Sequence, residues 1–533
     1  MQIVRAFVVA GLAVLFGIEG TRAQQGHMST SPEQFGKVHF PTSCSPSVEK
    51  QFDRAMAQLH SFWAKDAIEG FTAVLQQDPG CAIAYWGIAM SLQQNPLTAQ
   101  EPNSKAMQEA LTALDRAKEI GAKTQRERDY LAAIDLIYRD AAKIDFRARR
   151  LAYEKAMEAL SQRYPDDTEA AIFYALSLDM TAQLTDKTYA NQLKAAAILE
   201  NVLKQQPEHP GVAHYLVHSY DYPPIAERGL SAARLYAQIA PNHPHALHMP
   251  SHIFTRLGMW QDSIESNLRS AAAAKAENNG QEQAHAMDYL VHAYLQLGED
   301  ADAKRVVAES TSISVNPAIF IGHYALAAMP ARYAMERHAW AEAIMLQPRS
   351  TPFLFPDAIT HFARGLGYAR TGDVASAQKE ELRLAQLRDG LADQKNTYWS
   401  NQVEVQRLAV NAWIALAQRA QADALLSMRA AADLEDSMEK HIVTPGPVVP
   451  ARELFGEMLL EVGQPAEALK AFEASFQREP NRFRGLYDAA QAAALAGDRD
   501  KARMYYAKFI ALTEKADRAR PEIPLAKAYL AKR

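Results

Sequence analysis

The chain predicts an all-α fold, a right-handed superhelix of stacked helix pairs (an α-solenoid). Three observations lead there. Two copies of one pattern, VAHYLVHSYD and HALHMPSHIF, place His214 34 residues before His248 and His218 34 residues before His252. A period of that length belongs to stacked helix-pair repeats. Next, 24 Gly and 26 Pro among 533 residues fall short of the roughly 12% typical of soluble chains, which favours long helices over a turn-rich β fold. Finally, no strand-type alternation runs for a useful length.

Residues 1–23 read as a signal peptide. Arg5 gives a positive start, AFVVAGLAVLFGI is apolar, and Thr21, Arg22 and Ala23 offer small residues at the cleavage positions. The apolar stretch is too short to span a bilayer comfortably, and no later segment is apolar enough to span one. The expected location is periplasmic or secreted. An irregular segment follows over 24–46. A net charge of −5 with no basic block gives nucleic acid no electrostatic footprint. Cys44 and Cys81 are the two cysteines. In an oxidising compartment such a pair is expected to form a disulfide; two free buried thiols are the alternative.

Helical repeats fill residues 47–515. Their clearest unit runs from Val449 to Arg482, with apolar residues at helical spacing on both sides of Gly463, Gln464 and Pro465. Ala468, Phe472 and Pro480 stand at offsets matched by Ala67, Phe71 and Pro79. This resembles a tetratricopeptide repeat (TPR), with its small residue at position 20, aromatic at 24 and Pro at 32. The small residue lets two helices touch, and the Pro stops the second one. Pro165, Pro207 and Pro241 end later units, and Gly365, Tyr368, Gly372 and Ala377 keep the same register. Inserted loops at 95–103, 183–190 and 274–282 interrupt it. Residues 516–533 read as a capping helix. The phrases AHYLVHSYDYP and HALHMPSHIFTRLG resemble a group of exported bacterial TPR proteins, a resemblance that assigns no catalytic residue.

Function is read from the histidines. Seven of the 16 lie within residues 209–252, an excess that helix formation does not require. Residues four apart share a helix face. In the TPR register, His214 and His218 take positions 5 and 9. His245, His248 and His252 take 2, 5 and 9 of the next unit, and His285, Asp288 and His292 take 2, 5 and 9 of the one after. The resemblance implies that these positions point into the concave groove. Two adjacent i, i+4 pairs offer four ligands to one transition metal, Zn, Cu or Fe: His214, His218, His248 and His252. Asp221, His245, Asp288 and His292 are further candidates for ligation or orientation. His60 reads as packing in the groove wall, and His209 and His243 as caps or surface residues.

Arg332 takes position 9 of the next unit. Glu453 and Glu457 occupy positions 5 and 9 near the C-terminal end, with Arg484 facing them and the Pro-rich stretch KHIVTPGPVVPARE ahead of them. With His285 these form a second set, candidates for contact with a groove ligand; a solvated charged face is the plainer reading of the two glutamates.

The leading expectation is an exported TPR scaffold whose His-rich concave site holds a transition metal, a groove ligand, or both. A metal-free module binding a peptide, protein or small ligand is one alternative. A metalloenzyme using the same histidines is another, and a metal-independent hydrolase a further one. The remaining possibility is a set of buried rings satisfied by carbonyls and tyrosines. No phosphate loop, GxSxG elbow or HExxH pattern appears. Cleavage of the signal peptide predicts a mature chain beginning at or near Gln24. N-terminal sequencing of envelope-derived protein checks this, and an intact residue 1 contradicts it.

Overall fold

Apolar residues return every three or four positions, and several helix starts carry a side-chain acceptor. In Ala64–Gln77 the buried residues are Ala64, Ala67, Phe71 and Val74, one face of an amphipathic helix. Thr124, Asp145, Asp167 and Asp498 each accept a backbone N–H in the first turn of the helix they precede, satisfying donors that would otherwise be bare. Gly298 and Gly372 end the helices Gly280–Leu297 and Leu354–Thr371 at φ 72° and 89°, a conformation that costs any side chain with a Cβ.

The computed structural model describes residues 34–517 and 520–532. They are helical from Glu49–His60 to Glu522–Ala531, with no strand among the described residues. The all-α class is therefore the observed one. Consecutive helices pack on each other along the chain, as a stack of pairs requires. The repeat signature has a direct packing cause. Phe71 and Phe472 are fully buried, and each ring lies on a glycine, Gly87 and Gly456, where an added Cβ would come within 2.4 Å and 2.6 Å of it. The expected signal peptide lies outside the described residues.

The N-terminal lead-in is tied down at several points. Cys44 and Cys81 form a disulfide with Cα atoms 4.8 Å apart. Ser43 donates through both its N–H and its hydroxyl to Glu127, and Ser45 N–H donates to Asp78. Phe40 is buried against Phe52, Trp86 and Tyr130.

Residues 437–450 change the expected concave face. Instead of continuing the stack, this segment crosses the histidine-bearing helices as a strap. Glu439 N–H donates to Leu184 O, and its carboxylate accepts from Lys187 and from Tyr189 at 2.9 Å. The inserted loop at 183–190 is thus one of the strap's anchors. Arg332 donates to Gly446 O and Pro447 O, and Tyr289 donates to Thr444 O. The C-terminal repeats close back on the middle of the chain through Trp260 Nε1–H to Asn481 O and Asp517 N–H to Gly298 O. None of the helices of the described residues is long and apolar enough to cross a membrane.

The disulfide closes a 37-residue separation, for which loop-closure entropy gives a stabilisation of up to about 4 kcal/mol. Replacing both cysteines by Ser is expected to lower the denaturant midpoint, and reduction of the native protein should reproduce that loss. Equal midpoints in oxidised, reduced and Ser-substituted protein would show that the bridge contributes nothing.

Candidate metal centre

Pro210 opens the helix Pro210–Tyr220, and His209 caps it by accepting Val212 N–H. His214 and His218 follow on one face. Their repeat partners lie on two short consecutive helices, Pro244–His248 and Pro250–Arg256, divided at Met249 by the proline. His285 comes from the second turn of Gly280–Leu297. All six rings are buried.

The structure sorts them into two adjacent triads rather than one set of four. His214, His218 and His245 form the first, and His248, His252 and His285 the second, with one potential ligand atom per residue lying within 4.8 Å of the others. Each triad takes positions 5 and 9 of one repeat and position 2 of the next. In the first, His214 Nε2 is 3.1 Å from His218 Nε2 and 3.2 Å from His245 Nε2. In the second, His248 Nε2 is 3.0 Å from His252 Nε2. The triads touch: the rings of His218 and His252 are 5.8 Å apart, and those of His245 and His248 6.2 Å.

The far nitrogens decide the tautomers. His248 Nδ1 is 2.7 Å from Asn267 Oδ1, and the Asn267 amide nitrogen is committed to Ser263 O. The oxygen therefore faces His248, which must donate through Nδ1–H. His252 Nδ1 is 2.9 Å from the Asp221 carboxylate, so it too donates. Both Nε2 atoms are then bare, and two lone pairs meet at 3.0 Å. His214 Nδ1 donates to His60 O at 2.7 Å, which leaves its Nε2 bare as well. His245 Nδ1 faces Glu282 at 3.6 Å. Such outward hydrogen bonds are how metal-binding histidines are held in one tautomer and orientation.

Burial drives the His214, His218 and His248 imidazoles well below their ordinary pKa, with neighbouring histidines adding to it. It takes His285 down to about 3. Burial raises the Asp221 carboxyl, but Lys440 and Arg256 outweigh it and hold the group well below the usual carboxylate range. Asp221 accepts from Arg256 at 2.8 Å and from the strap's Lys440 at 2.9 Å. The carboxylate that fixes His252 thus also holds the strap.

The other anticipated residues go elsewhere. Asp288 joins neither triad; it accepts from Arg332 at 3.1 Å. His292 lies 5.3 Å from the Trp260 ring, with Arg332 3.4 Å from its Nδ1. Arg332 is spent on Asp288 and the strap carbonyls. Glu453 is fully buried against Arg482 at 2.9 Å, and Arg482 also pairs with Glu336. Glu457 meets His338 at 3.3 Å, and Arg484 pairs with Glu522 at 2.7 Å. These glutamates are not a solvated face. His60 does pack, its ring stacked on Phe173 and bonded to Glu169 and Tyr215, and its carbonyl also orients His214. His209 also bonds Glu169, and His243 is buried against Trp63; neither is a surface residue.

Asn267, Glu282 and Lys440 went unseen in the sequence, since nothing in their own spacing marks them. The position-2 slot of His245 and His285 was the one available signal for the third member of each triad. A pocket of about 640 Å³, mouth included, borders His218, His245, His252 and His285.

No family model matches this chain, and no curated protein does. Among solved structures, a human IFIT1 dimer with PPP-AAAA is 13% identical over 82% of this chain and 91% of its own, at a TM-score of 0.39. A human IFIT1 dimer with m7Gppp-AAAA is 13% identical over 82% and 90%, at 0.36. The centre described above stands on this chain's own residues.

A histidine kept neutral in the fold binds its proton only in the unfolded chain, near pH 6.5. Stability is then complete above that pH and lost as pH falls. For metal-free protein, each such histidine is expected to cost about 2 kcal/mol between pH 7 and pH 5. Chemical denaturation at the two pH values measures it; an unchanged unfolding free energy would mean that these rings take up protons in the fold as readily as in the unfolded chain.

Proposed function

We propose that this protein is a metalloprotein whose centre is the pair of histidine triads, each holding one transition-metal ion. The meeting of the bare His248 and His252 Nε2 atoms at 3.0 Å carries this reading. With both Nδ1 protons committed, no hydrogen bond can form between them, and two converging lone pairs call for a cation. Two nitrogens bound to one ion at roughly 2.1 Å and a tetrahedral angle stand about 3.4 Å apart, close to the spacings found here. Neutral imidazoles suit Zn, Cu or Fe. The two triads share one repeat register, which supports two like sites over a single four-histidine one.

Three protein ligands would leave a coordination position, and a pocket borders two rings of each triad. An ion so placed supplies Lewis acidity or an activated water when bound. The chain's own residues fix the rings through Asn267, Asp221 and the His60 carbonyl, and exclude bulk water with the strap. The strap leaves room for a small ligand rather than a long peptide. The signal-like segment and the disulfide support export to an oxidising compartment as the setting.

Elemental analysis of untagged protein, with calorimetric titration of Zn²⁺, Cu²⁺ and Fe²⁺ at neutral pH, is expected to give about two ions per chain. His252→Ala should remove one equivalent and His218→Ala the other, with circular dichroism unchanged. Asn267→Ala should weaken one site by roughly 10–100-fold, the range for groups that orient a ligand. Absence of stoichiometric binding by the unaltered protein ends the reading.

A further inference from the structure

The pocket beside the centre has a definite chemical character. Four histidines line it, together with hydrocarbon from Ile319, Ile321 and Ile442 and the amides of Gln94, Asn95 and Gln281. No lysine or arginine lines it. The nearby cations are already committed: Lys440 and Arg256 lie on Asp221, and Arg332 on Asp288 and the strap. The one carboxylate in the lining, Glu282, turns an oxygen toward His245 Nδ1 at 3.6 Å. With neutral imidazoles as ligands, a bound divalent ion would bring two positive charges against the single carboxylate of Glu282, beside a hydrocarbon wall of Ile319, Ile321 and Ile442. A donor that reaches it gains most by being anionic, and its remainder meets hydrocarbon.

We propose that this pocket binds a small monoanion with an apolar tail, of the monocarboxylate class, its charged end on the histidine-held ion and its tail against Ile321 and Ile442. This rests on the metalloprotein reading. It makes one demand that an ordinary anion site does not: lacking any lysine or arginine in its lining, the metal-free protein should have no affinity for the anion.

Cobalt(II)-loaded protein provides the test, with visible absorption reporting on the ion and elemental analysis giving its content. Butyrate is expected to perturb the spectrum at concentrations roughly tenfold below acetate, as burial of two further methylenes implies. Metal-free protein should bind neither by calorimetry. Ile321→Gln, at a half-buried position, should erase the preference for butyrate while cobalt content stays the same; Ile442→Gln is a second variant on the strap. Equal affinity for acetate and butyrate, butyrate binding to metal-free protein, or a stronger response to butylammonium overturns the proposal with the metal reading intact. Failure to retain cobalt brings down both and is recognised by the metal content alone.

Discussion

Asp221 sits just past the end of the helix Pro210–Tyr220 and takes three buried partners: the His252 ring, the Arg256 guanidinium and the Lys440 ammonium. A buried carboxylate is tolerated only when it is paired and hydrogen-bonded, and Asp221 is paired with two cations and a ring. Burial takes Lys440 down to about 8, with Asp221 opposing that fall, so its charge at neutral pH depends on this contact. Taking away Asp221 strands two buried cations, a loss of about 3–5 kcal/mol. One residue therefore sets the ring orientation at the second triad, the packing of the repeat that carries it, and the position of the strap.

The histidine pairs were legible because a helical repeat copies its faces. Translation by 34 residues turns one i, i+4 pair into a neighbouring pair, and periodicity shows that directly. The grouping was less visible. Ring position depends on where each Nδ1 finds an acceptor, and those acceptors come from residues with no periodic signature: His60 O, Asn267 Oδ1 and Asp221. Register alone placed Asp288 and His292 with the stripe. Arg332, reaching for the strap carbonyls, draws both into a separate cluster.

The strap was also hidden, for a different reason. Local patterns report helices and their faces, whereas Lys440 meets Asp221 across 219 residues. Proline-rich composition marked the segment as irregular but could not say where it lies. The same holds at the C-terminal end. Glu453 and Glu457 look like ordinary helix carboxylates until the chain closes and Arg482 bridges Glu453 to Glu336. Breaks in the repeat were informative in retrospect: the loop at 183–190 supplies Leu184, Lys187 and Tyr189 to the strap.

The long reach of the strap also orders events in time. Contacts between chain neighbours form first, and those closing long loops form late. The helix pairs bearing the histidines assemble from near neighbours, while the strap's Lys440 comes 219 residues after the Asp221 it meets. During synthesis and refolding the six rings therefore pass through a stage in which they are assembled but uncovered. On the metalloprotein reading, an ion captured then would become enclosed when Lys440 reaches Asp221, whereas one arriving afterwards would have only the mouth of the pocket. Loading and folding would in this way be successive steps of one process, and the occupancy of the finished protein would record which metal was at hand before it closed.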